Sequence, residues 1–320
     1  MSKKHFVLSL TGGLGNQLFQ LAAALKISNG AEVQLTTTYG NPRPFTNNSA
    51  DLYSFTLPNN VKIINRKTAS YLVKKCVGYN LRMGTSPRNY ENNKFVKWFI
   101  SKATFFLLFI DLHRPFTLIT GNGVGFSQIT ANKNNSLLVG YFQSFKWATS
   151  PEVFQKLKAL NVLAHSEVLD KLYIESKEVL PLIVHVRLGD YLKEDSFGVL
   201  SKNYYLQAIE KMMATHEYKE IWVFSDDLEN AKLVLPRKFE KLTKWMQEIE
   251  NSPAKTLQAM RFGHGYVIGN STFSWWGAFL SYNESAKVIA PDPWFKGMES
   301  PKDLIPPKWE RIKSWPSNSY

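Results

Sequence analysis

Short apolar runs that end in polar turns alternate along this chain with longer stretches where apolar residues return every three or four positions. This is the pattern of strands followed by helices. Phe6-Val7-Leu8 predicts a strand over residues 5–10, Thr11-Gly12-Gly13-Leu14-Gly15 a tight turn, residues 16–28 a helix and residues 32–36 a second strand. Residues 37–58, rich in Asn, Pro, Thr and Ser, read as a long loop or insertion. Leu137-Leu138-Val139 predicts a further strand that ends in an aromatic and amide-bearing turn, Gly140-Tyr141-Phe142-Gln143-Ser144, before helical segments over residues 151–178. From Pro181 the alternation is regular, with strands at 182–187, 221–225, 241–245, 266–268 and 287–290 and helices at 203–215, 228–235, 254–262 and 273–281. Such β-α alternation predicts an α/β protein whose mostly parallel sheets are covered by helices on both faces. With 320 residues, two domains are expected, at 1–178 and 179–320, with the Pro- and Trp-rich tail from Pro291 packing back on the first.

Composition adds a partner of negative charge. Hydrophobic residues make up 44% of the chain, enough for a sizeable core, and the formal net charge is +13. That excess fits nucleic acid, an anionic membrane surface or a phosphorylated substrate. Nucleic acid is not expected, because no RNP, KH or helix-turn-helix pattern is present. Much of the excess lies between Lys62 and Arg114, where eleven Lys and Arg face only Glu91 and Asp111. Val73, Phe95, Trp98, Phe99 and the run from Phe105 to Ile110 are interleaved with them. The run is far short of the about 20 apolar residues that span a bilayer. Two readings stay open: peripheral contact with an anionic membrane, or a buried helix with a basic solvent face. Cys76 is the single cysteine, so no intrachain disulfide forms and thiolate metal sites are excluded. Lys3 and Lys4 are not followed by a complete signal-peptide core before Gly12. The expected location is therefore cytoplasmic, with the membrane reading placing the chain peripherally on the inner face.

The chemistry-bearing residues fall at strand ends. In Val184-His185-Val186-Arg187-Leu188-Gly189-Asp190-Tyr191 the imidazole and guanidinium are two positions apart and share a strand face, with a carboxylate on the following turn. A fork-shaped cation beside a glycine turn suits a diphosphate, whereas an Arg187–Asp190 ion pair would merely close the loop. Ser225-Asp226-Asp227 ends another strand at the same predicted sheet edge. Adjacent aspartates diverge and no further ligand lies nearby, so a metal is not expected. Recognition of a base edge, or capping of the next helix, suits them better. Gly269-Asn270-Ser271-Thr272-Phe273-Ser274 opens a helix and offers backbone N–H groups and hydroxyls to an anion, while Trp275 and Trp276 suit core packing. The first turn lacks the third glycine of a dinucleotide fingerprint. Asn16, Gln17 and Gln143 suit sugar hydroxyls, or serve only the backbone.

Taken in order, Gly-Gly-Leu-Gly-Asn-Gln-Leu-Phe-Gln at 12–20, Gly-Tyr-Phe-Gln-Ser at 140–144, His-Val-Arg-Leu-Gly-Asp-Tyr at 185–191, Phe-Ser-Asp-Asp at 224–227 and Asn-Ser-Thr-Phe-Ser-Trp-Trp-Gly-Ala at 270–278 resemble the α-1,2-fucosyltransferases of glycosyltransferase family 11. The likeness continues through Val288-Ile289-Ala290-Pro291 and Trp294. The resemblance implies a GT-B-like pair of Rossmann-like domains with a cleft between them, the first on the acceptor side. It also implies inverting, metal-independent transfer from GDP-fucose to the 2-hydroxyl of a terminal galactoside, which can be lipid-linked. Carried over to this chain, it assigns Arg187 to the diphosphate, His185 and Asp226 or Asp227 to the guanosine end, and Asn270, Ser271, Thr272 and Ser274 to the phosphate cradle. Gly13, Gly15, Asn16 and Gln17 complete the donor contacts, and Asp190 is the candidate general base or the residue that orients Arg187. Leu188 stands where the family commonly has a second arginine, and Thr256 where it usually has an aspartate. Another GDP-sugar or another linkage is the nearest alternative. A noncatalytic membrane- or nucleic-acid-binding protein would leave the strand-end groups without purpose, and a galactoside-binding lectin would bind glycan without GDP.

Overall fold

Strands whose residues are apolar on both faces have to lie inside a sheet, and the most buried runs of this chain take the central places. In the computed structural model, which describes residues 4–40, 50–64, 69–85, 94–113, 115–120, 135–193, 196–301 and 303–315, the chain divides into two compact units, Met1–Asn161 and Val162–Tyr320. Part of the loop expected at 37–58, residues 41–49, lies outside the described residues.

The first unit contains β1 (Phe6–Ser9), α1 (Leu14–Ser28), β2 (Val33–Thr36), β3 (Val61–Ile63), α2 (Tyr71–Thr85), α3 (Lys94–Leu112), β4 (Thr117–Ile119), β5 (Ser136–Leu138), α4 (Phe145–Ala148) and α5 (Pro151–Lys158). Its strands pair in parallel in the order β3-β2-β1-β5-β4. β1 is central and wholly buried, as a parallel strand covered on both faces must be. The helix α1 starts two residues earlier than expected, at Leu14, and is buried nearly all round. The basic region forms the helices α2 and α3. Val73, Val77, Leu108 and Leu112 pack from them onto Val7, Leu137 and Val139 of the sheet strands and their exits. The strands β3 and β4, three residues each, were not among the strands expected from the sequence.

The second unit contains α6 (Glu167–Val179), β6 (Leu182–Val186), α7 (Lys202–Thr215), β7 (Ile221–Ser225), α8 (Leu228–Val234), β8 (Thr243–Met246), α9 (Pro253–Met260), β9 (Gly265–Val267), α10 (Thr272–Phe279), β10 (Lys287–Asp292) and β11 (Glu310–Lys313). All pairings are parallel, in the order β11-β10-β9-β6-β7-β8. Counted from β6, this is the order 3-2-1-4-5-6 of doubly wound nucleotide-binding sheets. Both units are thus α/β with parallel sheets, as the alternation predicted, and Rossmann-like, as the resemblance implied.

Two details differ from the sequence expectation. The division falls after Asn161, not at 178/179. Ser166 caps α6 by accepting a hydrogen bond from Leu169, and Tyr173 of α6 packs edge-on against Phe262 at 5.4 Å, so α6 belongs with the second sheet. The tail from Pro291, expected to pack back on the first domain, supplies the outer strand β11 of the second unit's own sheet. Trp309 sits 5.3 Å from Trp275, and Trp275 donates from Nε1 to the Leu304 carbonyl at 2.9 Å. The tail therefore closes over an aromatic cluster that also holds Trp276 and Phe279. Trp275 and Trp276 are fully buried, as core residues.

Trp275→Ala leaves a large cavity under β11 and costs about 3–5 kcal/mol of unfolding free energy. A guanidinium unfolding curve for the wild type and the variant measures it; a loss well under that range would show that the cluster relaxes around the missing ring.

Candidate active site

The chain leaves β6 toward β7 on one side of the sheet and leaves β9 toward β10 on the other. Loops that diverge from two adjacent parallel strands open a crevice at their carboxyl ends, where ligands of such sheets bind. Residues 187–191 and 268–272 therefore meet at this point. Two glycines allow the approach. A Cβ on Gly269 would lie 3.0 Å from the His185 carbonyl oxygen and 3.1 Å from its Nδ1, and one on Gly189 would lie 2.2 Å from Asp226 Oδ2.

Asp226, at the exit of β7, divides its carboxylate between two partners. Oδ2 receives Arg187 Nη1 at 3.0 Å and Oδ1 accepts the Leu188 backbone N–H at 2.9 Å. The guanidinium lies over the Tyr191 ring, 5.4 Å from its centre, and Tyr191 stacks on Phe197 at 4.9 Å. The Tyr191 hydroxyl donates to the Asn270 carbonyl at 3.0 Å, and Asn270 Nδ2 donates to the carbonyls of Phe197 and Gly198 at 3.1 and 2.9 Å. Arg187 is thus fixed in direction by a carboxylate and an aromatic face, yet keeps 28% of its side chain exposed. Asp190 lies on the short 3₁₀ helix Gly189–Lys193, and its side chain is outside the described residues.

His185 is 4% exposed and its ring is tilted against Phe273 at 6.2 Å. Burial, reinforced by the neighbouring Arg187 cation, pushes its pKa down to about 3. The ring is therefore neutral at physiological pH. Its Nδ1 has no hydrogen-bond partner among the described residues. Behind it, α7 supplies two buried tyrosines. Tyr205 donates to the His185 carbonyl at 3.2 Å and Tyr204 to the Ile268 carbonyl at 2.7 Å. Burial raises the pKa of both hydroxyls, with Asp226 adding to the effect on Tyr205, so they act as donors.

Several expected ligand groups are used inside the protein. Ser271 caps α10 by accepting from the Phe273 N–H at 3.3 Å. Ser274 is fully buried and donates to the Ser271 and Gly269 carbonyls at 3.2 and 3.4 Å. Its hydroxyl is therefore spent inside the loop; Thr272 is partly exposed and the first N–H groups of α10 point from the helix start. Asp227 caps α8, taking the Asn230 N–H at 3.1 Å and its Nδ2 at 2.7 Å, so capping is its role rather than base recognition. Among the described residues, no three His, Cys, Asp or Glu side chains cluster as metal ligands. Leu188 is buried in the apolar core, and Thr256 donates to the Ser252 carbonyl at 3.0 Å and accepts from Ile249 N–H at 2.9 Å, bracing the start of α9.

In the first unit, Gln17 corrects another expectation. It is fully buried, donates to the Gly12 carbonyl at 2.9 Å and accepts the Leu52 N–H at 2.9 Å, so it holds the turn rather than a sugar. Gln20 braces the same turn through both the N–H and the carbonyl of Thr11. Gly15 is buried in α1, while Gly13 and Asn16 remain partly exposed. Gln143 donates to Asn16 Oδ1 at 2.7 Å, joining the turn after β1 to that after β5.

The profile of glycosyl transferase family 11 matches residues 6–313. The chain belongs to that family. Over 169 residues it is 30% identical to an alpha-1,2-colitosyltransferase of Escherichia coli, covering 47% of this chain and 58% of that protein. Over 180 residues it is 31% identical to the O-antigen biosynthesis glycosyltransferase WbnK of the same organism, covering 53% and 59%. A galactoside 2-alpha-L-fucosyltransferase of Caenorhabditis elegans is 26% identical over 186 residues, covering 54% and 51%. The aligned stretch thus spans somewhat more than half the length of these relatives.

Tyr191, Phe197, Tyr204 and Tyr205 were not legible as site residues. Tyr191 closes the His185–Tyr191 motif and gave a positional signal; Tyr204 and Tyr205 fell inside the helix expected at 203–215, with nothing to mark them as site residues.

The folded pKa of His185 lies below its unfolded value near 6.5, so the unfolded state binds the proton first and stability falls as pH drops below about 6.5. In urea unfolding at pH 6 and pH 5, the wild type should lose about 1 kcal/mol more than His185→Gln over that unit. Parallel curves would mean that the folded protein protonates this ring freely.

Proposed function

We propose that this family 11 protein is an inverting α-1,2-fucosyltransferase that transfers L-fucose from GDP-fucose to the 2-hydroxyl of a terminal galactoside in a surface polysaccharide or oligosaccharide. The observation that carries the reading is Arg187, held by Asp226 and Tyr191 at the strand crevice of the second unit, beside the loop that enters α10. The names of the three relatives support the α-1,2 linkage, the galactoside and the polysaccharide context.

In the proposed reaction the acceptor oxygen bonds to the anomeric carbon of β-linked GDP-fucose as the bond from that carbon to the diphosphate oxygen breaks. GDP departs with the electron pair, and the acceptor proton passes to a base, for which Asp190 is our candidate. The electrostatic demand is the negative charge that develops on the leaving diphosphate. A guanidinium has five N–H donors in a planar fork, enough to keep Asp226 and to receive the diphosphate. The α10 N-terminus adds partial positive charge, and no metal is required. Asp226 then serves the donor through Arg187 rather than by touching the base. The neutral His185 supplies a hydrogen-bonding edge without adding charge.

A second donor is favoured by one observation, the similarity to an alpha-1,2-colitosyltransferase. GDP-fucose and GDP-colitose are therefore compared directly. Transfer to a panel of β-galactosides, followed by mass spectrometry with EDTA present, should add a deoxyhexose from GDP-fucose. Arg187→Ala should lower kcat by about 10²–10³, and Arg187→Lys should also be impaired because a point charge replaces a fork. Asp227→Ala should leave turnover within about twofold of wild type, as expected for a change away from the reacting groups. Turnover with GDP-colitose alone would move the assignment to the second donor; full activity of Arg187→Ala would sink the mechanism.

A further inference from the structure

The helix α3 has two faces of different fate. Thr104, Leu108 and Leu112, spaced by four, are buried against α2 and the first sheet. On the opposite side Trp98, Phe99, Phe105, Phe106, Phe109 and Ile110 are each 46–63% exposed. Positions 98, 105, 106 and 109 share one helix face at three-, four- and seven-residue spacing, with the exposed Lys102 among them. Tyr71 and Leu72, at the start of the adjoining α2, are exposed as well. An apolar stripe of this size on a protein surface marks an interaction site.

We propose that this face docks on an anionic lipid bilayer, lying in the interface with the aromatic stripe among the headgroups and upper acyl chains. Charge decides between occupants. Lys102 is exposed within that face, Lys74 and Lys75 are exposed on the adjoining α2, and residues 62–114 carry eleven basic against two acidic residues. Asp111, one of those two, is held by the Tyr39 hydroxyl. A second copy of the same face would set lysine against lysine, whereas anionic headgroups complement the lysines and the rings prefer the membrane interface. The helix does not cross: among the described residues no helix is long and apolar enough to do so. An amphipathic helix with Trp and Phe on one side lies on the surface, about 5–10 Å deep, and a lysine among the rings reaches the headgroups with its ammonium. This inference stands independently of the transferase reading, and its test uses no substrate.

The full chain is sedimented with phosphatidylcholine vesicles, with and without phosphatidylglycerol. Binding to the anionic vesicles should be at least about tenfold tighter, and should weaken as salt rises. Replacing Phe105, Phe106 and Phe109 together by Ser should lower that affinity at least about tenfold. Replacing Lys74, Lys75 and Lys102 by Glu should abolish the preference for anionic lipid. Thermal melts check that each variant folds, and Phe106→Ser alone serves if the triple variant does not. Absence of binding to either vesicle, or equal binding by the serine variant, overturns the proposal. So does a wild-type dimer that the serine variant converts to monomer without any vesicle binding, which would assign the face to a second copy.

Discussion

One carboxylate fixes the geometry on which the second unit's crevice depends. Asp226 joins the exit of β7 to that of β6 through the Arg187 guanidinium and the Leu188 N–H at once. The guanidinium is thereby aimed before any ligand arrives, and a pre-aimed charge need not reorganise when negative charge develops. Gly189 is part of the same constraint, because a side chain there would occupy the carboxylate's place. Gly269 does the corresponding work for the second loop, letting it pass against His185.

Around this pair the polar groups are sorted by what burial permits. His185 is too deeply buried beside a cation to carry charge, so the site concentrates its positive charge in Arg187 and the α10 N-terminus. Ser271, Ser274, Asn270 and Asp227 use side-chain donors or acceptors on nearby backbone, which stiffens the loops that carry Arg187 and Thr272. A motif rich in hydroxyls and amides can therefore be mostly scaffold. The same division holds in the first unit, where Gln17 and Gln20 brace the glycine turn and Asn16 stays partly exposed.

Of the two readings of the basic region, the structure carries the packed-helix one, and membrane contact is our proposal. The helices α2 and α3 do bury one face in the first unit's core, as a structural helix pair must. The opposite face of α3 exposes Trp98, Phe99, Phe105, Phe106, Phe109 and Ile110, which a helix serving only the core has no need of.

The sequence by itself determined the α/β class and the identity of the residues at the strand ends, because parallel strands buried on both faces are written as local apolar runs and the groups that follow them need no distant partner to be recognised. It also marked Trp275 and Trp276 as core. Which of those groups are spent on internal hydrogen bonds and which stay exposed was set by the tertiary fold. The partnership of Arg187 with Asp226, thirty-nine positions away, depends on β6 and β7 lying side by side; the supporting hydroxyls of Tyr204 and Tyr205 depend on α7 folding back over β6 and β9. The place of the tail was likewise set by β10 offering an open edge and Trp275 a surface to cover. Strand formation is read from neighbours in the chain, whereas hydrogen-bond partnership and burial are set by neighbours in space, and those the linear pattern does not contain.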